Sequence, residues 1–119
     1  MAEVRFDETI HAPVRLRICG LLRQVDRMDF ALLRDTLEVS DATLSKHLKI
    51  IITAGFASSA KEASAERKDA RRLTWISLTP AGRRAFDAHL RALQQIAAPD
   101  GVPQVAARAP QLRFEHLHP

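Results

Sequence analysis

The spacing of apolar residues near the N-terminus predicts an amphipathic helix over residues 13–25. Apolar side chains recur there every three or four positions, which is the period of one helix face. These positions are Val14, Ile18, Leu21, Leu22 and Val25. Pro13 suits the first turn of this helix, because an N–H group there has no helical partner to lose. We expect residues 6–10 to form a short helical lead-in.

A second and a third helix are predicted after a break at residues 26–28. Asp29 can cap the second, which ends near Glu38, and Ser40 can cap the third, Asp41 to about Thr53. The apolar face of the third helix consists of Leu44, Leu48, Ile51 and Ile52. Its opposite face consists of Thr43, Lys46, Lys49 and Ile50, with Ser45 and His47 on the flanks. Gly55 is a natural left-handed stop after it.

The second half of the chain predicts a hairpin and a last helix. Residues 56–61 are weakly typical of a strand, and residues 72–78 are strongly so, being rich in β-branched and aromatic side chains. The polar, alanine-rich segment between them predicts a long hairpin tip. Thr79 and Pro80 then open a helix in the expected order of cap and first turn. Its apolar seam is Phe86, Leu90, Leu93 and Ala97.

The order of these elements predicts the fold class. Three short helices, a hairpin and a longer helix form a mainly α fold with a small β-hairpin, a winged helix-turn-helix with a C-terminal dimerisation helix. We expect this domain to span residues 1–98. Residues 99–119 hold four of the six prolines and no helical period, and predict a partly ordered tail.

Composition limits the alternatives. With 119 residues, 46% hydrophobic and 27% charged, the chain has the size and composition of one globular domain. It has no run of about 18 apolar residues, so we expect no membrane span. The first ten residues lack the apolar core of a secretory signal, so a cytoplasmic location is expected. The single cysteine, Cys19, excludes an intramolecular disulfide.

The distribution of charge favours a nucleic-acid partner. The formal charge is +4, and all four lysines fall between residues 46 and 68. This stretch overlaps the third helix and the hairpin, which are the elements that a helix-turn-helix protein brings to DNA. A solvated surface face is the competing interpretation of the same charges.

Four segments, which follow one another along the chain, resemble a known family. The pattern Phe30-x-x-Leu33-x-x-x-Leu37-x-Val39-Ser40-x-x-Thr43-Leu44-Ser45-Lys46-His47-Leu48, followed by Ala54-Gly55-Phe56, resembles the MarR/ArsR-type winged helix-turn-helix transcriptional regulators. The segment Leu78-Thr79-Pro80-Ala81-Gly82-Arg83 is similar to the one that follows the wing in MarR-like proteins. Residues 13–18 resemble the opening helix of small stand-alone winged-helix regulators. Arg34 replaces the usual alanine of the second helix, and Glu38 replaces the glycine common in the turn.

The resemblance implies a sequence-specific regulator that binds double-stranded DNA. Residues 41–52 would be the recognition helix in the major groove, and residues 56–78 the wing on the flanking backbone or minor groove. The implied contacts of the recognition helix are Thr43, Ser45, Lys46, His47 and Lys49. Those of the wing are Lys61, Arg67, Lys68, Arg71 and Arg72. For His47, packing of the ring at the helix edge is the competing interpretation.

The same resemblance implies a homodimer on a pseudo-palindromic operator. Such regulators dimerise through their N- and C-terminal helices. The positions that would contact the second protomer are Phe6, Ile10, Phe86, Leu90, Leu93 and Ala97. A small-molecule effector would sit in a cleft between the DNA-binding and dimerisation parts, although no residue indicates its chemistry.

Four other interpretations stand beside that of a simple DNA-binding regulator. A metal sensor of the ArsR type would need more ligands than the lone Cys19 and His116-x-His118, so we expect no metal and no cofactor. Cys19 could serve as a redox switch, although a buried hydrophobe is its commoner role. No glycine-rich phosphate loop, H-E-x-x-H or nucleophile elbow is present, so we expect no enzyme. The remaining alternative is a winged-helix protein-interaction module that binds no DNA.

Overall fold

The computed structural model describes residues 2–63, 72–99 and 101. In these residues the helices are α1 (Glu8–His11), α2 (Pro13–Arg23), α3 (Phe30–Leu37), α4 (Asp41–Thr53) and α5 (Pro80–Ala97). The strands are β1 (Met28–Asp29), β2 (Ala57–Ala63) and β3 (Arg72–Leu78). The predicted class, mainly helical with a small hairpin, is confirmed. The predicted tail lies almost wholly outside the described residues.

Side-chain caps fix where α3, α4 and α5 begin. The carboxylate of Asp29 accepts a hydrogen bond from the Leu32 N–H and caps α3. Ser40 caps α4, and Thr79 caps α5 directly before Pro80. Each cap satisfies an N–H group that the helix leaves unpaired, worth about 1 kcal/mol. The three predicted start positions are therefore confirmed.

The sheet has three antiparallel strands in the order β1-β3-β2. The hairpin of β2 and β3 pairs Ala57 with Leu78 at one end and Ala63 with Arg72 at the other. β1 pairs Met28 with Ile76, where the sequence predicted only a break. Two residues are too few to show the alternation that marks a strand, so sequence periodicity could not reveal β1.

The core is assembled from all five helices and the hairpin. Its buried members include Ile18, Leu22, Leu33, Leu44, Leu48, Ile51 and Ile76. Ile10 is fully buried and Phe86 is 7% exposed in the same core. Both side chains thus pack inside their own protomer. This corrects the expectation that Ile10 and Phe86 contact a second protomer.

An N-terminal arm, residues 3–7, runs along α5. The backbone N–H of Arg5 donates to the carbonyl of Ala88 at 3.1 Å. The guanidinium of Arg91 donates to the carbonyl of Glu3 at 2.8 Å. The arm is therefore held along α5 by hydrogen bonds. In the described residues no helix is long and apolar enough to cross a membrane.

Candidate nucleic-acid interface

The outer face of α4 is polar and accessible. Leu44, Leu48 and Ile51 point into the core, and this orientation turns Ser45, Lys46 and Lys49 outward, where all three are exposed. A helix whose apolar stripe is buried presents its opposite face to any partner. Among the described residues, neither lysine forms an ion pair. Their charges are available to a polyanion.

The first turn of α4 is held by a reciprocal pair of hydroxyl side chains. The Ser40 hydroxyl accepts from the Thr43 N–H at 3.1 Å and donates to the Thr43 hydroxyl at 3.0 Å. Thr43 is half-buried by this contact, and its own O–H is left to donate elsewhere. The predicted contact residue Thr43 therefore also shapes the helix start.

Arg34 compensates the acidic groups at the junction of α3 and α4. Its guanidinium contacts Asp35 at 2.8 Å and Asp41, in the first turn of α4, at 2.8 Å. The hydrogen bond from Arg34 lowers the pKa of Asp35, so that carboxylate stays ionised and paired. The negative charge of Asp41 beside the outer face of α4 is thereby offset. No pattern in the sequence indicated this bridge.

His47 is tied to α2 by Arg15. The Arg15 guanidinium lies 3.1 Å from His47 Nδ1 and also donates to the carbonyl of Thr9. Burial lowers the pKa of His47, and the charges of Arg15 and Lys46 lower it further. The residue is half-buried, which agrees with one of the two interpretations of the sequence.

Arg15 was missed as a site residue, although the sequence held a signal. It lies on the same helix face as Ile18 and Leu22, three and seven residues further on. An arginine in the middle of an apolar stripe has to find partners, because its charge cannot be buried unpaired. Its position on a helical wheel of residues 13–25 could therefore have identified Arg15.

The root of the wing is stabilised by Arg27. Its guanidinium stacks over the Trp75 ring, 4.1 Å from the centroid, and reaches Glu62 at 2.8 Å. Lys61, opposite Thr74 in the β2–β3 register, is exposed. The predicted contacts Arg67, Lys68 and Arg71 lie outside the described residues, as does the side chain of Arg72, whose backbone begins β3.

The N-terminal arm and α5 carry exposed apolar side chains. Val4 is 51% exposed on the arm, and Ile96 is 68% exposed on α5. Phe6 and Leu90, both predicted dimer contacts, are also exposed, as is Ala97, whereas Leu93 is half-buried. Ile96 was missed because it lies about 80° from the predicted seam on a helical wheel. Val4 was missed because the arm has no periodic pattern.

Cys19 is a core residue. It is fully buried in α2, and burial raises the pKa of its thiol to about 11. Since the thiolate is the reactive form, such a thiol is inert at neutral pH. Within residues 2–63, 72–99 and 101, no three His, Cys, Asp or Glu side chains are grouped to hold a metal ion. His116 and His118 lie outside those residues.

Comparison with known proteins gives the same fold. A transcriptional regulator homologue from Pyrococcus horikoshii OT3 is 20% identical, with a TM-score of 0.69 over 76% of this chain and 86% of that one. A MarR-family transcriptional regulator from Silicibacter pomeroyi is 24% identical, with a TM-score of 0.52 over 81% and 63%. Overoxidized AbfR bound to DNA is 17% identical, with a TM-score of 0.56 over 90% and 74%. No curated protein sequence matches.

The sequence also matches a family profile over most of its length. The profile is described as a winged helix DNA-binding domain, and it aligns with residues 14–97. That range holds α2 to α5, including the helix-turn-helix and the wing strands. The chain therefore belongs to the winged helix DNA-binding domain family.

Proposed function

We propose that this protein is a sequence-specific transcriptional regulator that binds double-stranded DNA. The observation that carries the proposal is the outer face of α4. It presents Lys46 and Lys49 without an acidic partner in the described residues, while Arg34 offsets the neighbouring Asp41. The fold shared with AbfR, which was solved bound to DNA, supports the same partner.

In this proposal α4 enters the major groove. Ser45 and Lys46 reach base edges, because a lysine can donate to the O6 and N7 acceptors of guanine. Thr43 and Lys49 contact the flanking phosphates. The wing bases Lys61, Arg67, Lys68, Arg71 and Arg72 lie on the backbone or minor groove and supply affinity that is independent of sequence.

The exposed apolar residues of the arm and α5 support a homodimer. Val4, Phe6, Leu90 and Ile96 form, with Leu93 and Ala97, a surface that a second copy would cover. A two-fold dimer would place two α4 helices on half-sites about 10 base pairs apart, centre to centre. Sedimentation at tens of micromolar should show a dimer; a 13.3 kDa monomer would contradict the dimer and leave DNA binding to be judged separately.

A cleft at the expected position is the place to test for an effector. It has a volume of about 240 Å³ and lies between the arm, α5 and the end of α4. Arg5 and Arg84 stand at its wall beside Phe56 and Ala85. An effector bound there would contact both the DNA-binding and the proposed dimerisation parts. Screening small molecules for a change in melting temperature, with Arg84→Ala as the insensitive control, tests this.

Selection of bound duplexes from a random pool tests the function directly. Wild type should enrich a pseudo-palindrome. Lys46→Ala should weaken the selected site more than random DNA, by about 1–3 kcal/mol if it makes a good base contact. Lys61→Ala, the matched wing variant, should weaken all duplexes alike and reduce the salt slope by about one unit per lost phosphate contact.

Each variant must be shown to be folded by a thermal melt, since an unfolded domain would imitate lost affinity. If the folded Lys46→Ala and Lys61→Ala proteins both bind duplex DNA as tightly as wild type, the proposed docking is contradicted. Absence of any duplex binding by wild type at low salt would replace the regulator with the interaction-module alternative.

A further inference from the structure

We infer that Arg15 is a positioning residue for base recognition, holding His47 in the form that carries its hydrogen on Nε2. His47 then offers a single neutral N–H donor to the major groove. The inference rests on the proposed function, because it names how one residue of the DNA-facing helix would read a base. Arg15 itself lies on α2, behind the proposed recognition helix α4.

Hydrogen-bond chemistry fixes the state of the ring. The Arg15 guanidinium is a donor only, with no acceptor atom, and it lies 3.1 Å from His47 Nδ1. Nδ1 must therefore accept, which requires it to be unprotonated. In a neutral imidazole the hydrogen then sits on Nε2.

The surrounding charges keep the ring neutral. Arg15 on α2 and Lys46 on α4 are the charged groups that act on His47, and both are cationic. Burial adds to their effect and lowers the pKa of His47 below its ordinary value. A second proton would have to occupy Nδ1, directly against the guanidinium. At neutral pH the ring is thus a one-donor group of fixed orientation.

Arg15 is itself anchored. A second N–H of the same guanidinium, on Nε, donates to the carbonyl of Thr9 on α1. The fork of donors is rigid and planar, so fixing one N–H fixes the direction of the others. The ring of His47 is consequently oriented by α1 and α2 before any ligand arrives, and little rotamer freedom remains to be lost on binding.

A neutral donor on Nε2 selects against cytosine at the base that it contacts. Guanine N7 and O6, adenine N7 and thymine O4 accept hydrogen bonds in the major groove, whereas the amino group of cytosine only donates. With the hydrogen on Nδ1 instead, Nε2 would be an acceptor and the preference would reverse. Arg15 therefore determines specificity without touching DNA.

The first experiment reads the ring directly in the free protein. Nitrogen-15 chemical shifts of His47 at pH 7.5 should show a protonated Nε2 and a bare Nδ1. Arg15→Met should shift the two resonances toward a mixture, and Arg15→Lys, which keeps a cationic donor, should restore them. Arg17→Met is the matched control, because Arg17 lies on the same helix and donates to the Leu37 carbonyl instead; its spectrum should match wild type.

The second experiment measures base preference on the selected duplex. Arg15→Met and His47→Ala should each reduce the preference at one base pair by about fivefold, the effect of one hydrogen bond. The double variant should lose no more than either alone, and Arg17→Met should keep the preference.

A wild-type ring protonated on Nδ1, or an unchanged preference in folded Arg15→Met, overturns the inference. If Arg15→Met fails to fold, Arg15→Leu, which also has no hydrogen-bond donor, is judged by the same two criteria. A wild type that binds no duplex overturns the proposed function, and with it the base contact, whereas the ring spectrum still reports the role of Arg15.

Discussion

Two histidines, one on α4 and one on α5, show how the same side chain can serve two purposes. His47, on α4, is half-buried. His89, on α5, is fully buried. Burial is the largest cause of a lowered pKa at both. The difference lies in their partners, because one ring has a nitrogen left for a ligand and the other has none.

His89 uses both nitrogens inside the protein. Its Nδ1 accepts from the Asp7 N–H at 2.9 Å, so its hydrogen sits on Nε2 and is donated to His11 Nδ1 at 3.2 Å. The Phe6 ring packs against it, 4.8 Å between centroids. His89 is thus the internal clamp that holds the arm on α5. A buried histidine with both ring nitrogens hydrogen-bonded inside the protein has a structural role. A histidine with one ring nitrogen unbonded can still bind a ligand.

The largest effect is expected where the first turn of α5 packs against the backbone of Phe56. Gly82, in the first turn of α5, has no space for a side chain, because a Cβ would lie 1.9 Å from the Phe56 carbonyl oxygen. Gly82→Ala must push α5 away from the end of α4 and should cost about 3 kcal/mol or more in urea unfolding. Gly20→Ala is the control: its Cβ would meet only the Phe86 ring at 3.7 Å. It should gain about 0.5–1 kcal/mol from helix propensity. Equal stabilities would contradict the close approach.

The next effect separates the two histidines by stability. His89→Ala leaves a cavity and strips the Asp7 N–H of its acceptor, so unfolding free energy should fall by about 3 kcal/mol. His47→Ala removes a half-exposed ring and should cost about 1 kcal/mol or less. Urea melts of both variants at pH 7.5 make the measurement. If His47→Ala lowers the unfolding free energy more than His89→Ala does, the structural role belongs to His47 and not to His89.

Acid should destabilise the protein through the same two rings. Because their folded pKa values lie below about 6.5, the unfolded chain binds more protons as the pH falls from 7, and stability declines through the folded pKa values. At His89, burial and His11 lower the pKa, and Asp7 and Glu8 oppose them. His89→Gln and His47→Gln should each flatten the decline between pH 7 and 5, and the double variant should flatten it most. An unchanged slope in the double variant would exclude both rings as the cause.

How far the sequence predicted this arrangement depends on the range of each interaction. The helix starts at Asp29, Ser40 and Thr79 were predictable because a cap acts within three residues of itself. The outward face of α4 was predictable because periodicity fixes which side is buried. Both properties are local to one element.

Contacts between elements were not predictable. His89 is separated from Asp7 by 82 residues, and Arg15 from His47 by 32. The apolar periodicity of one helix does not indicate which side chain of another helix will contact it. Phe86 belonged to an apolar seam that was correctly identified as apolar, but the packing of α5 decided that it faces its own core. The apolar pattern of a helix indicates which face is buried, but it does not indicate which element covers that face.

The smallest effect concerns the turn between α3 and α4, directly before the proposed recognition helix. Glu38 adopts a left-handed conformation with φ 57°, which costs a residue with a Cβ about 1 kcal/mol and costs glycine little. Its N–H still donates to the Asp35 carbonyl at 3.2 Å, so the turn itself is complete. Glu38→Gly should therefore raise unfolding free energy, by about 0.5 kcal/mol after the extra freedom of glycine in the unfolded chain is subtracted. Glu38→Ala keeps the strain and should show no such gain. Glu38 is exposed, and the hydrogen bonds of the two rings go to Arg15, Asp7 and His11. Neither the His47 ring spectrum nor the pH slope should therefore move. A change in either would show that this turn adjusts α4.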